Sequence, residues 1–275
     1  MTRTPGIVRR TVLVALAATC GLGILIPVGD VQAGPDAGAI MSKVATTRKL
    51  DGSEAVVKMS IIDQNGSKRE RKLSMATKLY DGGKTEKRIY RFLEPADVKG
   101  TGVLVFDYED KADDTWVFLP ALRKTRRVVS SEKSKSFMGS EFSYADLNIP
   151  ELSNYEYALV KEESVGGEAC YVIEVKPKTP AIGKDEGYSK KLYWVSKSKH
   201  AVLKGHFFDL QGKLLKELTA GDVKVLDAKK GRVRALRMEM KNVQNGRRSV
   251  FETQKVAFTP DTKDEYFTTA YLERP

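Results

Sequence analysis

The two histidines are the first residues whose type could support catalysis or metal binding. His200 and His206 are six positions apart in the run KHAVLKGHFF, which is apolar enough to form a strand. On a strand, side chains at this spacing point to the same face but lie about 20 Å apart. One metal ion cannot bind both, so we interpret both histidines as ordinary surface or core residues. With no third histidine in the chain, a Ser–His–Asp or Cys–His arrangement is also disfavoured.

A cluster of acidic residues in the run YEDKADDTW could bind calcium or form the carboxylate pair of a glycosidase. Its members are Glu109, Asp110, Asp113 and Asp114. The cluster lacks the spacing of an EF-hand loop, and no second carboxylate cluster accompanies it. It also separates two apolar runs, GVLVFDY and TWVFLP, where a polar turn is expected. A solvated hairpin tip is therefore the better interpretation.

Motifs for nucleophilic catalysis and for cofactor binding do not occur in the sequence. GxxxxGKS/T, GxGxxG, HExxH, GxSxG and a paired CxxC are all missing. Cys170 lies in the strand-like run EACYVIEV, where a lone thiol is more often a small core hydrophobe than a nucleophile. We predict a protein that is not an enzyme and that uses no cofactor or metal. A binding role needs only an apolar pocket with a few polar groups.

The N-terminal segment, residues 1–33, is typical of a secretory signal peptide. Three arginines precede an apolar run over residues 11–28, and Val31 and Ala33 place small side chains before a cleavage site. A retained anchor is the alternative, although the apolar run is marginal for a bilayer span, which needs about 20 residues. We predict export to the periplasm, cleavage after Ala33, and one domain over residues 34–275.

The chain carries a formal net charge of +11 at pH 7. Three arginines and one aspartate are lost with the predicted signal peptide, which leaves +9. Exported proteins rarely meet nucleic acid, so this charge is better matched to anionic lipid head groups or acidic partner surfaces. The excess is spread along the chain, which argues against a single electrostatic site.

Alternating segments of about ten residues, separated by turn signals, follow one another from residue 54 onward. An Asn-Gly turn joins the first two, and FFDLQGKLLKEL, VLDAKKGRVRAL and KNVQNGRRSVFE repeat the hairpin pattern. Helical periodicity is confined to residues 35–45, 143–148 and 262–267. The sequence therefore predicts a large antiparallel sheet with few short helices. Its apolar face encloses either a lined cavity or a filled barrel core.

Residues 91–147 resemble the LolA-like family of outer-membrane lipoprotein-sorting proteins. The matching motifs are FLEP at 92–95, KGT at 99–101, LPALRK at 119–124 and SFMGS at 136–140. The resemblance implies a mainly β fold, in which one strongly curved antiparallel sheet forms an unclosed half-barrel. Short helices act as a lid over an apolar cavity. The LPALRK and SFMGS motifs are most similar to the branch of the family that is thought to work with RND-type exporters.

The same resemblance implies a periplasmic carrier of lipids or acylated lipoproteins between the inner and outer membranes. Its partners would be acyl chains, an RND-type inner-membrane transporter and an outer-membrane acceptor. The alternative is a sensor module of the same fold that binds lipoprotein and a membrane partner. Residues 130–147 are expected to form a mobile segment across the cavity mouth. The residues expected to line the cavity are Phe92, Phe106, Trp116, Phe118, Phe137, Met138 and Trp194.

Overall fold

A computed structural model of the chain describes residues 35–148 and 151–274. The predicted signal peptide, residues 1–33, lies outside them. The described strands form a single 13-stranded sheet. These strands are β1 (Gly52–Ile62), β2 (Lys68–Tyr80), β3 (Thr85–Glu94), β4 (Gly102–Tyr108), β5 (Asp114–Leu119), β6 (Lys124–Arg127), β7 (Tyr155–Val165), β8 (Glu168–Pro177), β9 (Lys190–Ser196), β10 (Val202–Phe208), β11 (Leu214–Asp227), β12 (Arg232–Asn242) and β13 (Arg248–Phe258).

The sheet is antiparallel throughout, and its order is β6-β5-β4-β3-β2-β1-β13-β12-β11-β10-β9-β8-β7. Every pairing except one joins strands that are consecutive in the chain. The exception is the contact of β1 with β13, which joins two meanders into one curved surface. The edge strands β6 and β7 do not pair with each other, so the half-barrel stays open, and the predicted fold class is confirmed.

Hairpin turns lie where the sequence predicts them. Gly66 in the Asn-Gly turn between β1 and β2 has a φ of 85°, a left-handed conformation that glycine adopts at little cost. The Asp63 carboxylate accepts the backbone N–H groups of Asn65 and Ser67, both at 2.9 Å. Strands β5 and β6 pair with each other around a turn that begins at Pro120.

Helix α1 (Ala37–Thr47) crosses the concave face of the sheet. The Asp36 side chain caps it by accepting the Gly38 N–H at 2.9 Å. Its apolar face packs against the inner side of β7, β8 and β9, where Tyr155, Ile173 and Val195 are buried. The predicted helix over residues 35–45 is therefore confirmed, with bounds shifted by two residues.

Two further helices lie elsewhere in the described chain. The short α2 (Pro180–Glu186) begins with the Thr179 cap and was not expected from periodicity, because seven residues show less than two full repeats. The predicted helix over residues 262–267 is present as a 3-10 turn, Asp264–Phe267. The short helix α3 (Thr269–Leu272) follows this turn. No helix in residues 35–148 or 151–274 is both long and apolar enough to cross a bilayer.

The stretch from β6 to β7 contains a crossing segment, residues 130–148, that lies over the concave face. Its tip is a tight turn in which Met138 and Gly139 have φ values of 50° and 80°. Two positive φ values in succession are typical of a type I′ hairpin turn. The Met138 carbonyl accepts a hydrogen bond from Arg71 of β2, and the Gly139 carbonyl accepts one from Arg247 at 3.1 Å. The segment is thus held at its tip by Arg71 of β2 and by Arg247 of the turn before β13.

Candidate functional site

A cavity of about 270 Å³ lies between the concave face of the sheet, α1 and the crossing segment. This volume is close to the lower end of the range of small-molecule sites, about 300–1,000 Å³. Most of the lining is aliphatic, aromatic or methionine. Representative lining residues are Met41 and Val44 of α1, Leu73, Leu218 and Met238 of the sheet, and Phe137, Phe142 and Leu147 of the crossing segment.

The concavity is only partly hollow. Toward β1–β5 it is filled by a cluster in which Phe137, Tyr144 and Leu147 of the crossing segment pack against buried valines and methionine of the sheet. The Phe137 ring lies 5.8 Å from that of Tyr90 and 6.2 Å from that of Phe92, centroid to centroid. The void adjoins this cluster, since Leu73, Tyr90 and Phe137 belong to both, and it extends to α1 and to β8–β13. Both options from the sequence, a filled core and a cavity, are therefore present side by side in the concavity.

Five charged side chains belong to the cavity lining, and two of them share one buried ion network. Arg88 pairs with Asp107 and lies 3.7 Å from the Glu86 carboxylate. Arg234 reaches across from β12 to Glu86 at 3.3 Å. Arg88 also donates to the Leu147 carbonyl at 2.6 Å, which ties the crossing segment to β3.

The network sets the charge of its members. Burial would raise the pKa of Glu86, but the positive charges of Arg88, Arg234 and Arg48 hold that pKa below its ordinary value. Burial acts in the opposite sense on Arg88, yet Asp107 and Glu86 raise its pKa. Glu86 and Arg88 are therefore both ionised in the folded protein at neutral pH.

Two other charged residues of the lining, Lys191 and Asp146, are also neutralised. The Lys191 ammonium donates to Glu186 at 2.6 Å, and this carboxylate raises the pKa of Lys191 despite its burial. The Asp146 carboxylate lies 3.9 Å from the Lys216 ammonium, and it also accepts from the Tyr188 hydroxyl at 3.0 Å and from the Ser143 N–H at 2.8 Å.

Arg48, the C-cap of α1, is the fifth charged residue of the lining. Its guanidinium forms neither a hydrogen bond nor an ion pair with any residue of the described chain. Burial, followed by the nearby charges of Arg234 and Arg88, lowers the pKa of Arg48. The lining therefore contains one cation whose charge no neighbour neutralises directly.

Three of the seven residues expected to line the cavity lie on its side of the sheet or in the crossing segment. Phe137 is in the cavity wall and 1% exposed. Phe92 is fully buried behind it, in the filled half of the concavity. Met138 is only partly buried and packs against the same cluster. The structure therefore brings Phe92, Phe137 and Met138 together, but only Phe137 contacts the void.

The expected positions of Phe106, Trp116 and Phe118 need a correction, because these residues lie on the opposite face of the sheet. There they form a cluster with Phe267 and Leu272 of the C-terminal segment. Their neighbours Val105 and Val117 face the filled concavity instead. Alternate residues of a strand point to opposite faces, and here both faces are apolar. The pattern in GVLVFDY and DTWVFL does not indicate which face is inside.

Trp194 needs the same correction. It packs in an outer cluster with Cys170 and Val172, and its ring lies 4.7 Å from that of His206. The adjacent Tyr193 lines the cavity. Cys170 is fully buried in this cluster, and burial raises the pKa of its thiol, in agreement with its interpretation as a core residue.

The residues with candidate chemistry in the sequence form no metal site in the described chain. Asp113 of the acidic turn accepts from Asn148 at 2.6 Å and from the Tyr108 N–H at 3.2 Å, so it anchors the end of the crossing segment. His200 precedes β10 and lines the cavity, while His206 lies on the outer face.

The ion network was missed by sequence reasoning, although a signal for it exists. In TEKRIYRFLE, Glu86 and Arg88 have the same parity as Tyr90 and Phe92, which are buried. Opposite charges on the apolar face of a strand indicate a buried pair. No comparable local signal marks Arg48.

Comparisons with known proteins identify the family of this chain. No curated protein matches the chain. Residues 84–274 match the model of a family described as uncharacterized protein-like. A crystal structure described as an outer membrane lipoprotein-sorting protein domain, from Vibrio parahaemolyticus, is 30% identical, with a TM-score of 0.79. The alignment covers 86% of this chain and 98% of that one. The chain belongs to the LolA-like outer-membrane lipoprotein-sorting family.

Two further solved structures resemble this LolA-like chain. A DUF1329 family protein from Desulfovibrio piger is 29% identical over 86% of this chain and 97% of that one, with a TM-score of 0.78. A LolA superfamily protein from Nitrosomonas europaea is 23% identical over 86% and 99% of the two chains, with a TM-score of 0.65. This last similarity supports the fold alone.

Proposed function

We propose that this LolA-like protein is a periplasmic carrier that holds the acyl chain of a lipid or lipoprotein in its cavity. The observation that carries the proposal is the apolar void under α1 and the crossing segment. Within the described residues, the lining offers no nucleophile–base pair and no metal cluster, so a binding role is favoured over an enzymatic one.

The thermodynamic need for such a carrier follows from the cost of hydrating an acyl chain. Each CH₂ group transferred from a membrane to water costs about 0.8 kcal/mol, so an acylated molecule does not cross an aqueous space unaided. A wall of leucine, phenylalanine and methionine replaces much of the lost apolar contact. Met41, Met75, Met238 and Met240 belong to this wall, and flexible thioethers adapt to chains of different shape.

The size of the cavity restricts how a lipoprotein would bind. A cavity of about 270 Å³ has room for part of an alkyl chain but not for a folded protein. A lipoprotein would therefore insert only its acyl group, and its polypeptide would remain outside. We further propose that an RND-type inner-membrane transporter supplies the cargo and that an outer-membrane acceptor receives it. The family resemblance supports this route, and export by a signal peptide cleaved after Ala33 is part of the same proposal.

Filling the void tests the proposed function. Ala220 lines the cavity from β11, opposite Met238 of β12. Ala220→Trp is expected to place an indole in the space for the acyl chain and to abolish lipid co-purification. Native mass spectrometry of the purified protein, followed by lipid extraction, measures the bound fraction.

Thr219→Trp is the matched control, because Thr219 is the preceding residue of the same strand and is exposed. It adds the same side chain outside the cavity and is expected to leave the bound lipid unchanged. Thermal unfolding of both variants confirms that they are folded. Equal lipid content in wild type and Ala220→Trp would contradict the carrier proposal.

A further inference from the structure

We propose that Arg48 binds an acidic head group, so that the cavity selects an alkyl chain that ends in a carboxylate or a phosphate. This inference rests on the proposed carrier function and specifies what the carrier selects. The shared chemistry is an oxyanion attached to an apolar chain. A fatty acid and a monoacyl phosphate lipid both have it.

The charges of the cavity lining are the first observation that supports this role for Arg48. Arg88 and Arg234 are engaged with Glu86 and Asp107, and Lys191 is engaged with Glu186. These carboxylates therefore form their ion pairs with cations other than Arg48. Of the four cations in the lining, only Arg48 has no side-chain hydrogen-bond or ion-pair partner among residues 35–148 and 151–274.

The position of Arg48 at the end of α1 is the second supporting observation. The Arg48 backbone N–H bonds to the Val44 carbonyl at 3.3 Å, so the residue is anchored as the C-cap of α1. Its side chain lines the cavity and does not cap the helix. The exposed Thr46 carbonyl at the end of α1 is taken by Arg232 instead. A role in capping α1 therefore does not account for the Arg48 guanidinium.

The electrostatic cost of an unpaired guanidinium is the third supporting observation. A cation in a mostly apolar cavity is costly unless an anion accompanies it. The positive charges of Arg234 and Arg88 act on Arg48 more strongly than the negative charges of Glu86 and Asp107, so the pKa of Arg48 is lowered by burial and by this positive surplus. A guanidinium binds a carboxylate or phosphate through two parallel hydrogen bonds, which a neutral ester cannot match in strength.

Paired probes test the inference on the purified mature protein. In one arm, binding of palmitic acid is compared with binding of its methyl ester. In the other arm, monoacyl phosphatidic acid is compared with lysophosphatidylcholine, whose phosphate carries a cationic substituent. Wild type is expected to prefer the acidic member of at least one pair by roughly 10- to 100-fold, as a charge-assisted hydrogen bond implies. The arm that shows the preference identifies the source of the oxyanion.

Arg48→Met should remove the preference while retaining binding of the neutral probes, and Arg48→Lys should retain part of it. The thermal midpoint of ligand-free Arg48→Met should fall only slightly, because Arg48 forms no direct hydrogen bond or ion pair and only its longer-range attraction to Glu86 is lost. Lys43→Met is the matched control, since Lys43 is exposed on the same helix, and its probe preference should equal that of wild type.

The outcomes separate this inference from the function on which it rests. Equal affinities for acidic and neutral probes in wild type, or an undiminished preference in Arg48→Met, would overturn the role of Arg48 and leave the carrier intact. A marked loss of thermal stability in Arg48→Met would show a structural role and overturn the inference as well. Failure of every probe to bind wild type would overturn the carrier proposal itself.

Discussion

Replacing Arg88 by methionine is expected to lower the free energy of unfolding by about 3–5 kcal/mol, the cost typical of removing one partner from a buried ion pair. Glu86 and Asp107 are only 2% and 5% exposed, so both carboxylates would remain buried with less compensation. The variant also loses the hydrogen bond from Arg88 to the Leu147 carbonyl at 2.6 Å. Urea unfolding at pH 7 measures the change.

Arg69→Met is the control for loss of a positive charge, because Arg69 is exposed on β2. A surface substitution of this kind changes stability by about 0.5 kcal/mol or less. If Arg88→Met were as stable as Arg69→Met, the buried network would not support the fold in the way proposed.

The pH dependence of the Arg88 effect has a definite sign. The pKa of Glu86 is lowered in the folded protein, so its ionised form contributes stability above the unfolded pKa of about 4.3. That contribution is lost as the pH falls through the folded pKa. The stability gap between wild type and Arg88→Met should therefore narrow below about pH 4. Urea unfolding repeated across acidic pH measures the gap, and a constant gap would contradict the assignment to Glu86.

Phe137→Ala is expected to lower the free energy of unfolding by about 3–5 kcal/mol, as is usual when a buried phenylalanine is truncated. Phe137 is 1% exposed, and its ring also lies 5.7 Å from that of Tyr144 and 6.3 Å from that of Phe251. Truncation would open the filled half of the concavity toward the void. Urea unfolding measures the loss, and the bound lipid of the variant shows whether the larger cavity is used.

Met138→Ala is the matched control, since Met138 is the next residue and is only partly buried. It should cost distinctly less than Phe137→Ala. Equal losses would mean that the turn itself, and not the Phe137 ring, stabilises the crossing segment. The expectation that residues 130–147 are mobile across the cavity mouth requires a packed element to open, because Phe137 is buried in the structure and is not a free loop residue.

Local information in the sequence was sufficient for much of the architecture. Asn-Gly and other glycine turns between alternating segments predicted the hairpins, and the apolar spacing in residues 35–45 predicted α1. Turn chemistry and periodicity depend on neighbours within a few residues, so they can be read without the fold. The motifs of residues 91–147 also indicated the LolA-like family, which the comparisons show.

The tertiary structure alone decided which face of each strand is inside. In DTWVFL both Trp116 and Val117 are apolar, so the pattern fits either orientation of the strand. In the structure the C-terminal segment covers Trp116 and Phe118 on the outer face, and Val117 therefore faces the concavity. The β1–β13 contact joins residues that are 186 to 205 positions apart, from Ile62 with Arg248 to Ser53 with Phe258, and no local pattern encodes such a pairing. Arg48 is distinguished from the other arginines only by what surrounds it. Its unpaired charge results from how α1 and the distant strands meet, so it becomes visible only in the folded protein.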